Sequence, residues 1–318
     1  MMNGAMDIRL FCLLAFMLPL QTVQAKEVWL IEGQAGGDIQ PDGNSAIIAA
    51  PGGLIVIDTG RHPDHQQKIV GIAERLDRPV AAIINTHWHL DHSGGNSELR
   101  RRWPAAAIIT SNAVDGALQG FLAESRKGAE DYLASGQASP ADAADIALDI
   151  AAMDDPANLR PTVPITRSGP QTIAGRRMIV NLARFAATEG DIWIIDPQTR
   201  TLFAGDLVVA HVPFFDTACP EGWRRALDAI ATTRFDRLVP GHGAPMSRAA
   251  FLRWRGAFNK LLDCAASDRA ESLCIAGWKA DAAEFLPADR SRIEGALRYY
   301  FNTRLRAPEP ERQRYCKA

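Results

Sequence analysis

Thr86-His87-Trp88-His89-Leu90-Asp91-His92 sets three histidines and one aspartate within six residues of a chain that holds seven histidines in all. On an extended segment, side chains two apart point to the same side, so His87 and His89 can share one ion. A turn at Asp91 and His92 lets that pair face a second ion. Imidazole nitrogens and carboxylate oxygens together suit zinc. The run follows Val80-Ala81-Ala82-Ile83-Ile84, a short apolar stretch rich in β-formers, so it sits where a buried strand ends.

Similar stretches recur on both sides of it. Leu54-Ile55-Val56-Ile57 ends in Asp58-Thr59-Gly60, and Ala107-Ile108-Ile109-Thr110, Met178-Ile179-Val180 and Ile192-Trp193-Ile194-Ile195 follow downstream. Apolar runs without strict alternation read as strands buried on both faces. Helical stretches, such as 64–76 and 223–232, lie between them, which makes an α/β layered domain. Residues 118–165 are rich in Ala, Asp and Ser and read as surface helices inserted between strands, a solvated spacer more than a lid. From Pro245 onward the pattern turns helical: Phe251, Trp254, Phe258, Leu261 and Leu262 recur at helical spacing behind Ser247, a suitable N-cap. Residues 26–244 are therefore expected to form the main domain and 245–318 a C-terminal helical extension.

Two dispersed signals match the central run. Gly205-Asp206 follows Leu202-Phe203-Ala204, and Gly241-His242-Gly243 follows Leu238-Val239-Pro240. Glycine beside a ligand lets backbone approach the site closely. With Asp58-Thr59-Gly60 upstream, the order of these elements resembles the metallo-β-lactamase superfamily over roughly residues 28–244. That resemblance implies an αββα sandwich carrying a two-metal hydrolytic site. By position it assigns His87 and His89 to a first zinc, Asp91, His92 and His242 to a second, and Asp206 to a bridge between them. Asp91 would also orient the attacking water. An aspartate at 206 resembles the glyoxalase II side of the superfamily. Phe214-Phe215-Asp216-Thr217-Ala218-Cys219-Pro220 and the cysteine-containing tail resemble the exported zinc metallohydrolases of quinoprotein relay systems. The chain departs from the superfamily at Ala187-Thr188-Glu189-Gly190-Asp191, where Ala187 stands in place of a third histidine for the first metal. Three protein ligands plus water still make a catalytic zinc site, held more weakly. His62, His65 and His211 are candidates for a substrate loop or a substitute ligand.

The first 25 residues are a segment of another kind. Leu10-Phe-Cys-Leu-Leu-Ala-Phe-Met-Leu-Pro-Leu20 is too short to span a bilayer, and small residues follow it up to Ala25. It is read as a signal peptide cut before Lys26, which leaves no membrane segment and implies a periplasmic or secreted protein. Cleavage removes Cys12 and leaves four cysteines, an even number suited to two disulfides in an oxidising compartment. Cys264 and Cys274 flank a short polar segment between helices and are expected to pair, which leaves Cys219 for Cys316. Lys and Arg number 35 against 37 Asp and Glu, a formal charge of -2, so nothing electrostatic points to nucleic acid.

The functional expectation is an exported zinc hydrolase acting on an ester, thioester or amide bond of a small molecule. Zinc brings the pKa of bound water towards ~7 and polarises the scissile carbonyl. A β-lactam is a less favoured substrate. Two other readings share the sequence: a non-catalytic, metal-dependent accessory protein of a quinoprotein system, suggested by Ala187, and an iron-dependent sulfur oxygenase on the same fold.

Overall fold

The computed structural model describes Met1 and residues 28–34, 39–287 and 290–316; the expected signal peptide and its cleavage point lie outside the described residues. The apolar runs form two six-stranded sheets. The first holds β1 (Val28–Ile31), β2 (Ser45–Ala50), β3 (Gly53–Ile57), β4 (Val80–Ile84), β5 (Ala107–Thr110) and β6 (Val163–Pro164), in that order. β1 to β3 pair antiparallel, and β3 to β6 pair parallel. Parallel neighbours need crossovers. Helix α1 (Pro63–Arg75) makes the first, and α2 (Leu90–Ser93) with α3 (Asn96–Arg102) the second.

The second sheet runs from β7 (Gly169–Ile173) through β8 (Arg176–Arg184), β9 (Gly190–Asp196), β10 (Thr201–Val209) and β11 (Arg237–His242) to β12 (Met246–Ser247). Its one parallel pair, β10 with β11, is joined through α7 (Pro220–Thr232).

Side-chain alternation explains the layers. Ile48, Ile55, Ile57 and Ile84 of the first sheet meet Met178, Val180, Ile194 and Phe203 of the second in an inner core. Residues one position away, Ile47, Leu54, Val56 and Ile83, point outward and bury against Ile69 and Leu99 of the flanking helices. Trp193, Leu202 and Leu238 of the second sheet do the same under Trp223 and Trp254. Both strand faces are apolar because both are covered. The result is the αββα sandwich.

The inserted segment departs from the solvated spacer read in its composition. It folds as α4 (Ala113–Gln119), α5 (Phe121–Ala134) and α6 (Pro140–Asp154), the last opened by a capping box in which Ser139 and Asp142 bond reciprocally. Its few large apolar residues, Val114, Leu122 and Leu159, bury Trp88 and Leu90 of the histidine-rich run. Sparse apolar content suffices because it is spent on one face.

The C-terminal extension is not set apart from the sandwich. β12 adds to β11 just beyond residue 244. Then α8 (Arg248–Ala265), α9 (Glu271–Asp281) and α10 (Ile293–Tyr300) bury Trp254, Phe258, Trp278 and Leu297 in the core that covers the second sheet. The Ser247 hydroxyl accepts from the Ala250 N–H at 3.2 Å, the cap its position suggested. Cys264 is joined to Cys274 and Cys219 to Cys316. Among the described residues, no helix is long and apolar enough to cross a membrane.

Candidate metal centre

The central run is a series of bends after β4, followed by the single turn of α2; it is not the extended segment expected. Asp91 and His92 belong to that turn, which closes on the His89 carbonyl through the N–H groups of His92 and Ser93, both at 3.0 Å. His87 and His89 still meet, with His87 Nε2 2.9 Å from His89 Nδ1.

Two neighbouring groups can each hold a cation: His87, His89 and Asp206, and Asp91, His92 and His242, with the ligand atoms in each within 4.8 Å of one another. Asp206 lies between them. Its Oδ2 is 3.8 Å from His87 Nε2, and its Oδ1 is 3.1 Å from His92 Nε2 and 3.5 Å from His242 Nε2. Backbone shape makes this approach available. Gly205 has φ +53°, and a Cβ there would meet the Thr86 side chain at 2.5 Å; one on Gly241 would meet Asp206 Oδ1 at 2.0 Å. Both glycines are therefore required beside the ligands they precede.

The donor set fits a metal. Asp206 Oδ1 is buried without a hydrogen bond, and the Nε2 atoms of His92 and His242 face each other at 3.3 Å. Such a convergence of lone pairs needs protons or a cation between them. Burial pushes His87 well below the ordinary histidine range and His89 down to about 4, so both rings are neutral and can donate lone pairs at neutral pH. Burial also opposes charge on His92 and His242, but Asp206 and Asp91 outweigh it and hold both above the usual value. The same pairing overcomes burial at Asp91 and Asp206, and keeps both carboxylates ionised. A metal entering the second group displaces protons from His92 and His242.

Sequence reading gave Asp58 no role, yet it orients two of the rings. Its Oδ2 accepts from His92 Nδ1 at 2.9 Å and from the Thr86 hydroxyl at 2.8 Å. That hydroxyl lies 3.1 Å from His87 Nδ1, and having spent its proton on Asp58 it accepts there. His89 Nε2 lies 3.0 Å from the hydroxyl of Thr217, a residue also overlooked. Asn44 joins the two halves of the site, its Nδ2 donating to the carbonyls of Pro240 and Gly243 on either side of His242. Asp58 and Thr217 both lie in stretches the sequence singled out, though without a role there; nothing in the sequence marked Asn44.

The remaining histidines divide. His65 is walled off from substrate: it is 2% exposed, with Nε2 2.7 Å from Ser45 Oγ, and burial pushes its pKa down to about 4. His62 is held between Asp42 and Asp145, each 3.0 Å from a ring nitrogen. Among the described residues, neither joins the two groups that can hold a cation. His211 is half-buried and near enough to His242 and Asp206 to feel their charges, which places it at the rim. Beside it the rim is aromatic. Phe214 meets the His89 ring edge-on with centroids 5.1 Å apart, and Phe121 of α5 lies 6.4 Å from both His89 and Phe214. Arg61, ion-paired with Asp149 of α6 at 3.3 Å, brings positive charge to bear on Asp91.

Residues 40–242, more than half of the chain, match the family model described as the metallo-beta-lactamase superfamily. The linear primary-alkylsulfatase of Pseudomonas sp. is 25% identical over 223 residues, covering 63% of this chain and 41% of that protein. The hydroxyacylglutathione hydrolase of Xanthomonas axonopodis pv. citri is 36% identical over 64 residues, 20% of this chain and 24% of that protein. The chain thus matches less than half the length of either relative. Among solved structures, the sec-alkylsulfatase Pisa1 from Pseudomonas sp. superposes with TM-score 0.60 at 16% identity, covering 86% of this chain and 47% of that one. A metallo-beta-lactamase from Pontibacter korlensis superposes with TM-score 0.54 at 19% identity, covering 75% and 97%.

Proposed function

The chain belongs to the metallo-beta-lactamase superfamily, whose members are hydrolases, and from that premise we propose that it is an exported zinc hydrolase of ester or thioester bonds in small molecules. The observation that carries the reading is the pair of adjoining His/Asp groups joined through Asp206. Zinc, when bound, supplies a Lewis acid that lowers the pKa of coordinated water and polarises the scissile bond. His87, His89 and Asp206 would hold one ion, and Asp91, His92 and His242 the other. Asp91, whose Oδ2 lies 3.1 Å from His242 Nε2, would also orient the attacking water and hold its proton. The aromatic rim of Phe121 and Phe214 excludes water on the side of His89 and offers an apolar surface to the substrate. Two paired disulfides support an oxidising compartment, here read as the periplasm, and the 214–220 stretch supports a link to quinoprotein metabolism.

The test is elemental analysis of the purified protein together with turnover of a panel of thioesters, lactones, carboxylic esters and alkyl sulfates. Alkyl sulfates are included because the Pseudomonas relative is named for them. Zinc-dependent turnover that is abolished by chelation and by Asp91→Ala is expected. Stoichiometric zinc without turnover of any member would favour the accessory-protein reading, and stoichiometric iron the oxygenase.

A further inference from the structure

We propose that Thr217 is a positioning residue for the first metal group, fixing His89 in the tautomer whose Nδ1 is free to bind. The proposal rests on the reading of His89 as a ligand. Thr217 is 1% exposed and lies in the loop between β10 and α7. Its hydroxyl donates to the carbonyl of Ala187 at 2.9 Å and lies 3.0 Å from His89 Nε2. A hydroxyl has one proton. With that proton on Ala187, Thr217 can only accept from His89, so Nε2 must carry the hydrogen. A neutral imidazole protonated at Nε2 has its lone pair on Nδ1, the atom 2.9 Å from His87 Nε2.

Each of the three rings on the central run is thus set by a bond to its remote nitrogen. His87 and His92 depend on Asp58, directly or through Thr86. His89 depends on a different part of the chain, and the last link is the backbone of Ala187. The residue that brings no imidazole to the first group contributes a carbonyl to the orientation of one that does. Ala187 is 1% exposed, so its carbonyl is shielded from bulk solvent and Thr217 is its donor here. Among the described residues, the first group has two imidazoles and Asp206, so an incorrect tautomer at His89 would remove a third of its protein ligands.

The loop is held from outside the site. The Cys219 N–H donates to Ala186 O at 2.8 Å, and Cys219 is bonded to Cys316. Asp216 accepts from Tyr299 Oη at 3.1 Å and from Arg304 Nε at 3.2 Å. These contacts fix the backbone on both sides of Thr217, which is what a positioning hydroxyl requires.

Long-range proton–nitrogen NMR of the metal-free protein labelled at histidine reads the tautomer directly. The native protein is expected to show His89 protonated at Nε2. Thr217→Val, which keeps the shape and removes the hydroxyl, should move it to Nδ1 or to a mixture, and Thr217→Ser should restore the native pattern. In a zinc titration, the weaker equivalent should lose about 10–100-fold in affinity in Thr217→Val and recover in Thr217→Ser, while the tighter one stays unchanged. Native His89 protonated at Nδ1 overturns the proposal whatever the variants do, as does a valine variant with native tautomer and native zinc affinity. A native protein that binds no zinc sinks the hydrolase reading, and the tautomer measurement still decides what Thr217 does.

Discussion

One carboxylate, Asp58, serves two imidazoles from a backbone with φ +53°, a conformation that asparagine tolerates better than most residues. Asp58→Asn therefore keeps the turn while replacing one acceptor oxygen by a donor. Burial raises the Asp58 pKa, and its bonds to His92 and Thr86 oppose that rise. We expect Asp58→Asn to weaken both zinc equivalents by about 10–100-fold, measured against a competing chelator. In the native protein the two equivalents should differ. The second group has three side chains of its own, whereas the first has two imidazoles and the Asp206 it shares. Zinc should load in two unequal steps, and two equal sites would mean that another residue completes the first shell. The candidate ligands could be read from the sequence because four of them crowd into six residues and the other two each follow a glycine, although Asp206 lies within β10 and not at its end. The bonds that aim them could not, since Thr217 reaches His89 across 128 positions and neither residue type signals the other.

Helix α6 shows the same limit on a larger scale. Its composition suggested a solvated spacer. Ile146 and Ala152 are buried, and polar contacts add to the docking. Asp145 accepts from the Gln40 N–H at 2.6 Å and faces His62, and Asp149 pairs with Arg61. Burial pushes the Asp149 carboxyl up to about 6; Arg61 opposes the rise, and Asp91 and Asp145 add to it. The folded chain favours the protonated carboxyl, so this contribution to stability is complete below the ordinary value of 3.8 and is lost as pH rises through about 6. Asp149→Asn cannot lose it. Relative to the native protein, the metal-free variant should gain stability between pH 4 and 6 by about 1–3 kcal/mol and show no further relative change above pH 7. Denaturant unfolding at a series of pH values measures the difference, and a flat difference would mean that Asp149 is ionised throughout. A cation beside Asp91 weakens the field that raises Asp149, so zinc should shift the transition to lower pH.

Across the whole molecule, the central strands were legible because most of them are apolar on both faces, and the tail helices because their stripes are wide; β6 and β7, exposed or polar along much of their length, were not, and the αββα layering came from the family resemblance. How the tail reaches the site was not legible, since it depends on contacts between distant segments. Cys316 is bonded to Cys219, two residues from Thr217, and Arg314 pairs with Glu124 of α5 at 2.8 Å. The tail thus ties together the loop carrying Phe214 and Thr217 and the helix that begins at Phe121. The two disulfides should therefore be separable by experiment. Cys219–Cys316 spans 97 positions and Cys264–Cys274 spans 10. In the chain-entropy model their losses cost about 4–5 and about 2–3 kcal/mol. Serine replacement of Cys264 and Cys274 should lower stability alone, because that bridge joins α8 to α9 and neither helix carries a residue of the metal groups. Serine replacement of Cys219 and Cys316 should lower stability further and also weaken the looser zinc equivalent, because it frees the backbone that aims Thr217 at His89. Guanidinium unfolding gives the first quantity and zinc titration the second. Equal effects of both replacements on zinc would reduce the tail's part to general softening of the fold, whereas an effect confined to Cys219–Cys316 makes the C-terminal extension a structural part of the metal centre.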